Sequence, residues 1–425
     1  MAARLIGRIC FFKVPRFHAK PLQRSPSITL VILGSLLGWA LVLQITASLS
    51  WGHESWQITE WLINYSGGFV RRGLAGTVFW HLSELTGIQA NHLAIVASLI
   101  CYAVLTAWLL RNATRWFPAG LVLSCVAMGF PAYQDSIVRK DCLGLLLLIA
   151  CIKVWNSRQA LGSRILLTNL FACTAILIHE TFVFYAFPAL LIHAMPGDTR
   201  RNIAGLLHRL VALTPSMVCF GLTVFHHGSP AIARTIHASW LPLWRTIDGG
   251  STPTDTPSAA IRAIGWSASE GMELTLYMFR SGWYQPTAWA IVFSISFVLV
   301  LLFTRSRSSQ TAALAIIRIR VLSILVLQLI CISPLFLLGI DYGRWLFFWI
   351  VSSMILQACR LRPPAIVASS LIRMPGFRSS GMLLGKLPVR EWYLLFFGVP
   401  VCWNIHNFLI ASPVVRHLHM LWTAS

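Results

Sequence analysis

The sequence predicts an all-α, polytopic integral membrane protein with about 11 transmembrane helices, several of them short. Three observations carry that expectation. Of 425 residues, 56% are hydrophobic and 11% charged, less than half the roughly 25% charged of an ordinary soluble domain. The apolar residues gather in runs long enough to cross a bilayer. The charge is also lopsided, 34 Lys and Arg against 13 Asp and Glu for a net +21, and the bases alternate in density between the apolar runs. A soluble protein with this excess would suggest a nucleic-acid partner. The hydropathy excludes that reading, together with disorder and a small secreted disulfide scaffold, so no nucleic acid is expected.

A bilayer core of about 30 Å takes roughly 20 helical residues. Residues 27–48, 90–110, 204–226, 286–304, 315–340, 342–358 and 393–411 are the clear candidates. Four shorter runs, 119–132, 142–155, 165–178 and 181–194, have the length of a buried or re-entrant helix as much as of a span. With the N-terminus inside, segments 1–26, 111–118, 153–164, 196–209, 305–320 and 359–392 hold 24 of the 34 bases. Only Asp198 and Glu391 oppose them, for a net of +22, and everything facing the other side holds ten bases and eleven acids. Dropping one short run would invert every later loop against the positive-inside rule, so eleven crossings, or a count of the same parity, are expected.

The chain then divides into a basic inner terminus (1–26), one transmembrane domain (27–411) with an outer loop at 227–285 and a basic inner loop at 359–392, and an outer tail (412–425). The first apolar run is too long for a signal-peptide core and no small-residue cleavage site follows, so it reads as an uncleaved anchor. The ten cysteines show no paired spacing, which predicts neither a disulfide framework nor a CxxC metal site. Within 227–285, an amphipathic stretch from Ala259 to Phe279 follows a Gly/Ser/Thr/Pro-rich centre. It reads equally as a helix resting on the membrane interface or as a partly ordered connection.

Charged groups at membrane depth are costly and mark function by default, and five outward clusters qualify. The first includes Glu54 and Glu60, then Gly67-Gly68 and Arg71-Arg72. Paired glycines allow close backbone approach, arginines offer forked donors to phosphate, and a helix start near Gly73 adds an anion-binding N-terminus. The bland alternative is a tight turn with arginines snorkelling to headgroups. The second cluster, Tyr133 to Asp141 with Arg139 and Lys140 flanked by Asp135 and Asp141, is either a self-neutralising interfacial group capping a helix at Asp141 or a phosphate or sugar contact. The third, His179-Glu180, lies in a hairpin between two short apolar runs. It would act as base and orienter, hold a divalent metal, or cap a helix; two residues are no complete ligand set. In the fourth, Asp341 and Arg344 are three apart and either pair with each other or direct Arg344 toward an anion. The fifth is the loop set His226, His227, Arg234, His237, Arg245, Glu270, Glu273 and Arg280, roughly charge-balanced, with Arg280 nearest the membrane return. No P-loop, GxSxG, HExxH or Rossmann fingerprint is present.

The ensemble Asn64-Tyr65-Ser66-Gly67-Gly68-Phe69-Val70-Arg71-Arg72-Gly73-Leu74, Arg139-Lys140-Asp141, His179-Glu180 and Asp341-Tyr342-Gly343-Arg344-Trp345 resembles bacterial polytopic proteins of surface-polysaccharide assembly. These are the O-antigen and exopolysaccharide polymerases and the GT-C glycosyltransferases, and the likeness extends over about 60–350 through short scattered motifs. The resemblance implies a place in the bacterial inner membrane, a polyprenyl-(pyro)phosphate sugar donor and a glycan acceptor at the periplasmic face, with the lipid tail along the spans. GT-C enzymes commonly place an Asp in the first outer loop; here Glu54 or Glu60 holds that place. On this reading Arg71, Arg72, Arg139 and Arg344 bind phosphate, with Lys140, Arg280 and the Gly67-Gly68 backbone as further substrate contacts. Glu60 or Glu180 is the base, His179 orients or donates, and Asp141 and Asp341 hold the bases in place. A transporter or flippase of a lipid-linked or anionic solute and a noncatalytic assembly protein are the alternatives.

Overall fold

A computed structural model describes residues 28–49, 55–134, 136–193, 203–247, 256–282, 285–305, 311–364, 390–399 and 411–424. The basic N-terminus 1–26, Glu54, Asp135 and most of the inner loop 359–392 lie outside the described residues. The described chain is helical, without β-strands. In order, its helices are α1 (Ile28–Leu49), α2 (Trp56–Leu62), α3 (Gly73–Thr86), α4 (Ala90–Asn112), α5 (Ala119–Leu123), α6 (Gly129–Tyr133), α7 (Asp141–Trp155), α8 (Leu161–Ile178), α9 (Phe182–Ile192) and α10 (Ile203–Ala212). They continue as α11 (Thr214–Phe225), α12 (Pro230–Ile247), α13 (Ala259–Ala263), α14 (Ala268–Arg280), α15 (Pro286–Leu302), α16 (Thr311–Leu338), α17 (Tyr342–Ala358), α18 (Tyr393–Phe396) and α19 (Pro413–Ala424).

Four helices, α1, α4, α8 and α16, are long and apolar enough to cross a membrane, and a fifth span results if α10 and α11, bent by 57° at Leu213, count as one. Pro215 sits in the first turn of α11 and lacks an N–H for the ladder, which accounts for a bend at this point. The run at 165–178 is thus part of a longer helix than its apolar core suggested, because α8 begins at Leu161. α9 stays short, with 11 residues. α17 is the axis of the assembly: all 17 of its residues are buried.

The two ends of the bundle are fixed by contacts. At one end, the backbone N–H of Arg305 donates to Trp116 (2.7 Å), Arg115 donates to the Ala358 carbonyl (2.7 Å) and Arg305 pairs with Glu391 (2.7 Å). At the other end lie Glu60, Arg139, His179 and Asp341, joined as described below. The chain shuttles between these ends.

Its passage from Trp116 to Arg139 is not one helix. α5 and α6 are separated by a turn in which Ala127 and Gly129 donate to the Ser124 carbonyl and Met128 to Val122, while the Tyr102 hydroxyl donates to the Met128 carbonyl (2.7 Å). Gly129 fits because a Cβ there would meet the Leu123 carbonyl oxygen at 2.7 Å. Irregular backbone at this depth is tolerated only where protein satisfies it, and these residues are buried.

The expected span at 393–411 also differs. Only Tyr393–Phe396 is helical before residue 400, and Gly398 backs directly onto Ala411; residues 400–410 lie outside the described residues. The chain then forms α19 where an outer tail was expected. α19 packs on α1, and the His417 ring meets the Tyr133 ring edge-on at 6.2 Å.

The outer loop is more ordered than the sequence suggested. α12 docks on the α2–α3 elbow: Trp240 Nε1 donates to the Leu62 carbonyl (2.8 Å), Trp80 Nε1 to the Ser239 carbonyl (3.1 Å) and Asn64 to the Ser239 hydroxyl (2.9 Å). The amphipathic stretch from Ala259 is two helices, broken at Ser267, whose side chain and Glu270 form a capping box at the start of α14. Met272 and Leu276 are exposed on α14, and Phe279 packs toward Tyr342, ring centroids 6.1 Å apart.

Candidate functional site

Four of the five outward clusters close into one ion network. Glu60, on α2, is at its centre with no solvent exposure. Its Oε1 lies 2.8 Å from His179 Nε2, 3.3 Å from Arg344 and 4.0 Å from Arg72. Its Oε2 faces Arg139 at 3.8 Å and has no hydrogen-bond partner among the described residues. Burial pushes the Glu60 carboxyl up, but Arg344, His179 and Arg139 together outweigh it and hold the group well below the usual carboxylate range.

Arg72 and Glu180 form a side-on fork, Nε to Oε2 at 2.8 Å and Nη2 to Oε1 at 2.5 Å. Arg72 immediately precedes α3 in the left-handed region, φ 66°, a conformation that non-glycine residues rarely adopt. Against the effect of burial, Arg72, His179 and Arg71 hold Glu180 below the usual range. Lys140 is buried and pairs with no carboxylate among the described residues; it reaches the carbonyls of Arg72 (3.4 Å) and Ile178 (3.3 Å) and stands over the Trp61 ring at 5.7 Å. Burial brings its ammonium down to about 7, with Glu60 acting in the opposite direction.

Arg344, in the first turn of α17, is forked by Asp141 at 2.7 and 2.5 Å and stands over the Trp345 ring at 5.6 Å. The pairing of Asp341 with Arg344 also forms, at 3.2 Å, but the same Asp341 oxygen accepts from Arg139 at 3.3 Å. Asp141 therefore neutralises a residue far along the chain, not its neighbours Arg139 and Lys140.

His179 is the hinge of the network. The Thr181 backbone N–H donates to its Nδ1 (3.3 Å), with the Thr181 hydroxyl 2.9 Å away. Nδ1 is thus an acceptor, which places the proton of the neutral ring on Nε2, aimed at Glu60. Burial and then Arg72 lower the imidazole pKa, in keeping with a neutral ring. Arg344 lies 3.3 Å from the same Nε2; with that nitrogen protonated, the approach joins two donors and is a contact only.

Arg71 ties the outer loop to this network. Its side chain donates to the carbonyls of Trp266 (3.2 Å) and Ala263 (3.4 Å), its backbone N–H to His226 (3.0 Å), and Glu180 lies 3.8 Å away. Gly68 has φ 100°, and Gly67 lies against Ile232 of α12, so the close backbone approach at the glycines is to protein. Arg280 is exposed at the end of α14 and is not among the residues paired here. The sequence reading did not include Trp61, Thr181 or the Ala263 and Trp266 carbonyls. Trp61 adjoins Glu60, but nothing in its type marks it as the platform for a lysine 79 positions away.

Five cations (Arg71, Arg72, Arg139, Lys140, Arg344) thus meet four carboxylates (Glu60, Asp141, Glu180, Asp341) and a neutral His179. Among the described residues no three His, Cys, Asp or Glu side chains converge as a metal site, and Glu180 has both oxygens occupied by Arg72. The arrangement can neutralise an anion through guanidiniums, and it offers a hydroxyl the buried Glu60 Oε2, which has no hydrogen-bond partner among the described residues. No protein-family model matches the chain, no curated protein matches its sequence, and no solved structure matches its fold.

Proposed function

We propose that this chain is a membrane glycosyltransferase or polysaccharide polymerase that uses polyprenyl-(pyro)phosphate-linked sugars in cell-surface glycan assembly. In this reading it crosses the bacterial inner membrane eleven times, with α5–α6 and α10–α11 each forming one interrupted crossing and α18 and α19 taking the place of the expected continuous span at 393–411. The N-terminus is cytoplasmic, the C-terminus is periplasmic, and the ion network faces the periplasm.

The observation that carries the reading is Glu60 Oε2, a carboxylate oxygen buried among guanidiniums without a hydrogen-bond partner among the described residues. An ion network that served only to staple helices would be a poor device, since buried pairs are often no more stabilising than apolar packing. An acceptor hydroxyl donating to Oε2 fills the missing bond. As its oxygen attacks the sugar carbon, the bond from that carbon to the phosphate oxygen breaks and the electron pair leaves on the phosphate. Arg139 and Arg344, with Arg71 and Arg72 nearby, neutralise that charge. The hydroxyl proton passes to Glu60, whose basicity rises once its guanidinium partners are shared with the phosphate. His179, fixed by Thr181, keeps the Glu60 carboxylate in place.

The broken helices favour a second reading, transport of an anionic or lipid-linked solute. Protein reconstituted in liposomes separates the two, with a panel of radiolabelled undecaprenyl-phosphate and undecaprenyl-pyrophosphate sugars plus a glycan acceptor. The expected result is label in the acceptor, lost about 100-fold or more in Glu60→Gln, the scale typical of a general base, at unchanged protein level. Movement of the lipid-linked sugar between leaflets without transfer, or full transfer by Glu60→Gln, overturns the proposal.

A further inference from the structure

We infer that the Asp341 carboxylate is an internal stand-in for the ligand: it occupies an anion subsite between Arg139 and Arg344 and leaves when a phosphate or pyrophosphate oxygen arrives. The inference rests on reading these arginines as an anion site but does not depend on sugar transfer.

The four carboxylates of the network are not equivalent. Asp141 and Glu180 each make a two-point fork with one guanidinium, at 2.5–2.8 Å, and Glu60 is enclosed. Asp341 instead uses a single oxygen, Oδ2, for two guanidiniums at once, at the longer distances of 3.3 Å to Arg139 and 3.2 Å to Arg344. Its side chain is 33% exposed, against 0% for Glu60, 5% for Asp141 and 15% for Glu180. It also belongs to the non-helical link between α16 and α17, where a side chain leaves without unwinding a helix.

Arg344 keeps the Asp141 fork when Asp341 departs, so Asp341 is surplus to its neutralisation. Among the described residues Arg139 has no such substitute: its other carboxylate, Glu60 Oε2, is 3.8 Å away. The departure of Asp341 therefore leaves two guanidinium nitrogens converging on one point with a deficit of one negative charge. A phosphate oxygen placed there restores both contacts and shares Arg139 with the Glu60 oxygen.

An internal occupant scales the apparent affinity for the external one by the fraction of time the site stands open. Removing the charge of Asp341 should therefore tighten anion binding, an unusual direction for a residue inside a binding site. The test measures binding to the full-length protein in nanodiscs, with inorganic pyrophosphate as one probe and undecaprenyl pyrophosphate as the other. Asp341→Asn is expected to bind about tenfold more tightly than the unaltered chain, a shift of the size a mostly occupied site predicts. Gain with both probes assigns recognition to the phosphates alone, and gain confined to the lipid-linked probe assigns it to a lipid headgroup.

The double variant Asp341→Asn with Arg139→Gln should lose the gain. Glu273→Gln, an equal charge change at an exposed position on α14, should leave affinity unchanged. The inference is overturned if Asp341→Asn binds no more tightly with either probe, if Glu273→Gln gives the same gain, or if the double variant retains it. Tighter binding by Asp341→Asn in a protein that transfers no sugar would retire the transferase reading and leave this inference standing. Transfer without any gain in binding would do the reverse.

Discussion

Arg72 combines two features that rarely coincide. Its backbone is left-handed, a state that costs on the order of 1–3 kcal/mol for such a residue and persists only where its surroundings impose it. Here they do: the side chain is forked by Glu180 and the carbonyl accepts from Lys140. Removing Glu180 would leave Arg72 both strained and without its fork. Glu180→Gln is therefore expected to destabilise the protein by about 3 kcal/mol, the lower part of the range for breaking a buried pair. The pH dependence has a definite sign. The Glu180 carboxyl is held below its ordinary value when folded, so its contribution is fully present above about 4.5 and lost as pH falls through the folded value. Thermal unfolding in detergent at a series of pH values checks this: the gap between the unaltered chain and the variant should narrow as pH drops below about 4.5. A gap that widens in acid would contradict the assignment.

At the level of elements, the site depends on how closely α3 approaches the end of α2. Gly76 permits it, since a Cβ there would run into the Ile63 carbonyl. Glu60 lies on α2 and Arg72 just before α3, so displacing α3 separates two members of the network. Gly76→Ala should cost about 1–3 kcal/mol by overpacking and weaken anion binding. Gly34→Ala on α1, where a Cβ meets nothing within 4 Å, should be neutral or slightly stabilising. Unfolding in detergent and pyrophosphate binding compare the pair; equal behaviour of the two alanines would dismiss the elbow as a control point. The same contrast shows what was legible in the sequence. The helix start at Gly73 and the polar clusters were readable because charge amid apolar runs is conspicuous. The partner of Asp141 was not, because Arg344 is 203 residues away and only the packing of α7 against α17 brings them together. α12 was missed because it carries Pro242 and polar residues along its length, which read as loop until Trp240 is seen bonded to the α2–α3 elbow.

For the whole molecule, the charge of the described residues divides by end. The end held by Arg115, Arg305 and Ala358 also carries Arg320, which donates twice to the Leu361 carbonyl at 3.1 and 2.7 Å. The end that holds the network is nearly balanced, and its bases are largely matched by acids. An uncompensated basic end is what the positive-inside rule asks of a cytoplasmic face, and a balanced one is what it permits opposite. Between Gln159, exposed in the turn after α7, and Glu273, exposed on α14, the chain passes from end to end through α8, α9 and the bent pair α10–α11. Three passes is an odd number, so the two positions must lie on opposite sides of a membrane if each pass crosses it. Cysteine introduced by Glu273→Cys should react with a membrane-impermeant maleimide in intact spheroplasts, whereas Gln159→Cys should react only after the membrane is opened. Labelling of both without opening would break the equation of passes with crossings. Reversed labelling would put the ion network in the cytoplasm, where a soluble nucleotide sugar is as accessible a donor as a lipid-linked one, and would remove the chief reason for assigning it a polyprenyl substrate.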